Sequence, residues 1–164
     1  TAAAAATPLL PPAEALTAYA HRVTMGGWVE EQAYSAYQVG LIQASLGQDP
    51  TVALLQAYSL GVPKAEPLVA LARWYRDDAR KLFPSAMLFA RKAAEIPAPT
   101  TALFTTGWTY QFEAAAEVAI CAYWLGLKRD ALERFERLLP RVPAERNTWA
   151  LEQIAICKRD LNGT

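Results

Sequence analysis

Apolar residues recur along this chain at helical spacing, and no stretch alternates apolar and polar positions over the length of a strand. Ala and Leu dominate the apolar set, while Val and Ile are sparse; the former favour helices and β-branched residues favour strands. The pattern predicts helices at about 12–24, 28–46, 50–60, 65–77, 83–95, 108–125, 128–139 and 144–161. Breaks fall at Gly26-Gly27, Gly47, Gly61 to Pro63, Pro97 to Thr101, Gly126 and Pro140 to Pro143. Asp49-Pro50 reads as a helix start, and Pro67 and Pro84 suit first turns. Segment 96–107 is the least regular and reads as a loop. The expected class is all-α, with about seven to eight helices.

The helices pair. Ala115, Ala119 and Ala122 are followed by Gly126, then Ala131, Phe135 and Pro143, which fits a helix–turn–helix repeat of about 34 residues. Small residues there let two antiparallel helices approach, and Phe135 fills the junction between neighbouring pairs. A second pair reads Ala36, Val39, Gly40 and Gly47, then Ala53 and Ala57. A third reads Leu68, Leu71, Ala72 and Tyr75, then Ala86, Ala90 and Ala93, with about two extra residues near Arg80-Lys81. The expected architecture is a short α-solenoid of antiparallel pairs, tetratricopeptide-repeat-like, with helices 12–24 and 144–161 as caps. A generic bundle of Ala-rich helices is the alternative.

Composition narrows the function. Sixteen basic and sixteen acidic residues cancel, which argues against a nucleic-acid partner or an anionic-membrane protein. No run of apolar residues is long enough to span a bilayer, so no membrane insertion is expected. Cys121 and Cys157 lie on apolar helix stretches and read as reduced, structural thiols, and with one histidine no Cys/His metal site is expected. No cofactor is expected either, and a cytoplasmic location is. Residues 1–12, rich in Ala and Pro, read as a linker or a frayed arm, with one helical domain over 13–164. A start inside a linker suggests a piece of a longer protein.

Met25-Gly-Gly-Trp28 with Glu30-Glu31, Ala65-Glu-Pro-Leu68, Leu71-Ala-Arg73, Tyr75-Arg76, Leu88-Phe-Ala-Arg91, Glu95-Ile-Pro97, Leu103-Phe104, Ala122-Tyr-Trp-Leu-Gly126 and Leu138-Leu139 occur in a telling order. Over about residues 20–160 the chain resembles the tetratricopeptide-like helical region that accompanies glycosyltransferase domains in bacteria. The resemblance implies an accessory scaffold of a larger glycosyltransferase. Two departures stand out: Asp77-Asp78-Ala-Arg80-Lys81 replaces a short Gly-containing turn, and Ala116 replaces an acidic residue.

No Asp-x-Asp metal motif and no Gly-rich phosphate loop appear, so no catalytic residue is assigned and the chain by itself is not expected to be an enzyme. His21 reads as a helix-surface residue, and Glu30-Glu31 as favourable charge at a helix start. Glu113 and Glu117 stand one turn apart in an apolar helix and call for a compensating Arg from a neighbour. Placing the repeat on the first helix of each pair directs Tyr34, Tyr37, Arg73, Arg76, Glu113 and Tyr123 toward a concave groove. Tyr and Arg are enriched at binding hot spots, so the groove is the candidate peptide or protein site. The competing reading is that these tyrosines pack between helices with the hydroxyl at the edge. The expected function is a non-catalytic interaction scaffold for a peptide, a protein or a second subunit. The alternatives are a helical part that completes a glycosyltransferase acceptor site, or a ligand-free oligomerisation or spacer module.

Overall fold

The computed structural model describes residues 11–100 and 104–163, so residues 1–10 of the expected linker, and Leu103, lie outside the described residues. Among the described residues there are eight α-helices and no strand: α1 (Pro12–Thr24), α2 (Val29–Ser45), α3 (Thr51–Ser59), α4 (Glu66–Arg76), α5 (Phe83–Glu95), α6 (Ala114–Trp124), α7 (Lys128–Leu138) and α8 (Asn147–Asn162). Two expected elements differ in detail. The helix expected over 108–125 opens with a π-helical turn, Thr109–Glu113, before α6, and the last helix is preceded by a 3-10 turn at Ala144–Arg146.

The turns follow from backbone chemistry. Gly47 and Gly126 sit at φ +73° and +80°, a region L side chains seldom occupy. Behind each, the chain bonds back five residues, Gln48 N–H to Gln43 O at 2.8 Å and Leu127 N–H to Ala122 O at 2.9 Å. Both helices thus end in the same glycine-based cap, and the next helix runs back alongside. The α4–α5 turn has no glycine, and Lys81 takes the left-handed conformation at φ +52°. Asp77 organises this turn by accepting the Ala79 N–H at 2.9 Å through its carboxylate.

Each helix packs mainly on the next in sequence, and α4 also touches α2 and α6. Small residues set the closeness of the pairs. A Cβ on Gly40 of α2 would stand 2.5 Å from Cδ2 of Leu54 on α3, so only glycine fits. Around α6, the core gathers Ala86, Val118, Ala119, Cys121, Ala131 and Phe135. A second cluster centres on Leu54, Leu68, Val69 and Leu71. These clusters hold α2, α4 and the π-helical turn side by side, which is where the candidate site forms.

Candidate functional site

A cleft of about 380 Å³ opens between α2, α4 and the π-helical turn. Tyr37 and Leu41 line it from α2, Val69, Arg73 and Trp74 from α4, and Glu113 from the π-helical turn. Such turns arise where one extra residue is accommodated in a helix, and they recur at functional sites. Here the wider turn brings Thr109 and Glu113 together, and the Thr109 hydroxyl donates to Glu113 Oε2 at 3.0 Å. Burial pushes the Tyr37 phenol up to about 12. Across the cleft, the Arg80 guanidinium lies 3.1 Å from the ring centroid of Trp74 and donates to the Trp74 carbonyl at 3.2 Å.

Beneath Arg73 lies a four-residue ion network. Arg73 Nε donates to Glu117 Oε1 at 2.9 Å, and its Nη2 stands 3.1 Å from Glu113 Oε1. Arg76 reaches the same Glu117 through Nε, 2.5 Å from Oε2, and through Nη2, 3.2 Å from Oε1. Glu117 is only 3% exposed, whereas Arg73 keeps 47% of its side chain in solvent. Burial pulls the Arg73 guanidinium down, but the carboxylates of Glu117 and Glu113 outweigh it and hold its pKa above the ordinary value. Arg76 is raised chiefly by its hydrogen bond to Glu117. The compensating cation that the Glu113/Glu117 spacing calls for is therefore supplied by α4.

Two recesses extend the cleft. At one end Tyr34, Tyr37, Glu66, Pro67 and Phe104 enclose a small one, sharing Tyr37 and Glu66 with the cleft. At the other, Trp108, Phe112, Pro143 and Arg146 border a recess of about 220 Å³ that shares Glu113. The shared residues set the three hollows side by side, and together these make up a trough lined by Tyr34, Tyr37, Arg73, Glu113 and Trp108. Glu66, buried under its wall, accepts the Thr106 N–H and the Tyr110 hydroxyl, each at 2.7 Å. The Tyr110 phenol is raised by burial and by Glu66.

Of the six expected groove residues, Tyr34, Tyr37, Arg73 and Glu113 line this trough. Arg76 joins it only through Glu117. Tyr123 is directed elsewhere: its hydroxyl donates to Asp160 Oδ2 of α8 at 2.6 Å, and it borders neither the cleft nor its two recesses. Its phenol is raised and the Asp160 carboxyl lowered by that bond. Phe104 and Trp108 were not among the expected residues, although aromatics within and just after an irregular Thr/Pro segment are a signal for a loop-borne site.

Other candidates resolve simply. His21 is exposed on α1. Glu30 and Glu31 lie in the first turn of α2, as expected, without a side-chain cap bond, and both also form ion pairs: Glu30 holds Lys64 at 2.6 Å, and Glu31 holds Arg22 at 2.5 Å. Cys121 and Cys157 are buried and unbonded to each other. Among the described residues no group of three or more His, Cys, Asp or Glu could hold a metal ion. No helix of the described residues is long and apolar enough to cross a membrane.

No protein-family model, curated protein or solved structure matches the chain.

Proposed function

We propose that the domain is a non-catalytic scaffold that holds an extended peptide or protein segment in the trough between α2, α4 and the π-helical turn. The observation that carries this reading is the adjacency of three hollows: two recesses border one cleft and share the lining residues Tyr37, Glu66 and Glu113 with it. Its walls combine half-exposed Trp108 and Phe104 with the partly exposed Arg73, the side-chain types that anchor peptides. Its ionised groups are occupied with one another, Arg73 with Glu113 and Glu117, which suits a shaped surface more than proton transfer.

The same reading takes the helices as a tetratricopeptide-like solenoid. Its support is the sequential packing with α4 between α2 and α6, the matching glycine caps at Gly47 and Gly126, and the Gly40–Leu54 approach. In that arrangement α1, which buries no residue fully, caps one end. The resemblance carries the proposal one step further, to an accessory module of a larger bacterial glycosyltransferase.

A random-peptide display library selected on this domain tests the function. Selected peptides should lose at least about tenfold in affinity with Trp108→Ala and keep it with Leu88→Ser. Leu88 is an exposed α5 residue, 68% accessible, that borders none of the three recesses. Equal affinities for the two variants, or no selected peptide at all, would overturn the proposal.

A further inference from the structure

The recess at the Tyr34 end carries an inference that rests on the peptide-site reading and names the chemistry of one partner residue. Phe104 does not belong to the helices that build this recess; it comes from the connection between α5 and α6. Its ring stacks on Tyr34, with centroids 4.4 Å apart and planes at 26°. Trp28 approaches the same ring at 6.4 Å. Ala33, Tyr37, Ala57 and Pro67 supply further walls, and with the ring in place the room left for the centre of a water molecule is only about 10 Å³. The seat is filled.

Two features separate Phe104 from a core aromatic. It is 47% exposed, against 1% for Phe135. Its backbone lies at φ +59°, the left-handed region that disfavours a residue with a Cβ. The segment that presents it is fastened nearby, by the Thr106 N–H to Glu66 Oε1 bond at 2.7 Å. A half-exposed ring on a strained backbone, seated where a binding trough ends, is placed as a ligand side chain would be. The walls select the same chemistry: a flat tyrosine face for stacking, flanked by Ala and Pro, with the Lys64 ammonium held by Glu30 at 2.6 Å.

We propose that Phe104 is a built-in occupant of an aromatic side-chain pocket, and that the partner segment carries an aromatic residue that replaces it on Tyr34. The fold thus supplies its own competitor, and the partner's affinity is set by the difference between the two rings.

Phe104→Gly tests this directly, because glycine removes the ring and tolerates the left-handed backbone. The probe is N-acetyl-L-phenylalaninamide, titrated into wild type and variant and followed by amide chemical shifts. In Phe104→Gly it should shift Tyr34, Tyr37 and Ala57 saturably, at least about tenfold more tightly than in wild type. The added substitution Tyr34→Ala should abolish the effect, and N-acetyl-L-leucinamide should bind more weakly. Equal binding by wild type and Phe104→Gly would overturn the proposal. So would an unfolded Phe104→Gly protein, since a replaceable occupant is not needed for folding. Library peptides that fill the trough without an aromatic at this end would sink this inference alone; failure to select any peptide would sink the wider reading instead.

Discussion

Arg76 Nε lies 2.5 Å from Oε2 of Glu117, a carboxylate that is 3% exposed and shared with Arg73. Two cations on one buried anion make α4 and α6 a single electrostatic unit. Substituting Arg73 and Arg76 together by Ala leaves Glu117 buried without a partner, which costs about 3 kcal/mol, the lower end for a broken buried pair because both guanidiniums already touch water. The triple variant that also carries Glu117→Leu should recover most of that loss. Chemical denaturation of the three proteins decides it; a double variant as stable as wild type would mean the network is ornamental.

Phe135 is 1% exposed at the junction of α7 with its neighbours, and Phe135→Ala should cost about 3–5 kcal/mol. Arg137 on the same helix is 71% exposed and only 3.8 Å from Glu133, so Arg137→Ala should stay within about 0.5 kcal/mol of wild type. Equal effects would place Phe135 outside the core.

Gly40→Ala should destabilise by about 1–3 kcal/mol, because the new Cβ would meet Leu54, itself 1% exposed and unable to withdraw. Thermal unfolding checks this, and an unchanged melting temperature would mean that α2 and α3 separate freely.

Tyr37 gives an alkaline signature. Its phenol is raised to about 12 in the folded protein, against about 10 when unfolded, so folding holds the protonated form. Above pH 10 the unfolded chain binds fewer protons than the native one, and stability falls as pH rises. The contribution is complete below about pH 10 and is lost through about pH 12. Tyr37→Phe should therefore show a shallower decline in denaturation midpoint across that window; identical slopes would contradict the burial of this hydroxyl.

Burial pushes the Cys121 thiol up to about 11, with the Glu117 carboxylate adding to the shift. The thiolate is the reactive form, so labelling at pH 8 should proceed only through unfolding and match the rate of Cys157, which is buried as deeply. Fast native labelling at Cys121 would show an opening of the α6 face.

Helix positions were legible in the sequence because Gly47, Gly126, Pro67 and Pro84 mark their ends by backbone chemistry. The Lys81 turn was not, since nothing in a lysine announces a left-handed conformation. Nor was the π-helical turn, because nothing in the side chains of Thr109–Glu113 tells a wider turn from an α-helical one. The need for a cation beside Glu113 and Glu117 was legible; that Arg73 and Arg76 would supply it, and so be structural as well as groove-facing, depends on which faces of α4 and α6 meet. Tyr123 shows how periodicity sets a limit. Six residues after Glu117, at about 100° per residue, it points about 120° away from the network and reaches α8 instead. Phe104 was noted in the sequence but not assigned to the groove, because its contact with Tyr34 of α2 comes from a connection far along the chain, which no local pattern encodes.

The proposed function requires the trough of Tyr34, Tyr37, Arg73, Glu113 and Trp108 to act as one binding surface. Its most direct test is an amide chemical-shift map of the isotope-labelled domain with a library-selected peptide. Perturbations should run in one unbroken line from Tyr34 on α2, through Arg73 on α4, to Trp108 and Arg146, leaving α5 and the Tyr123–Asp160 contact unmoved. Shifts gathered on α5 and α7, or split among unconnected patches, would contradict that function.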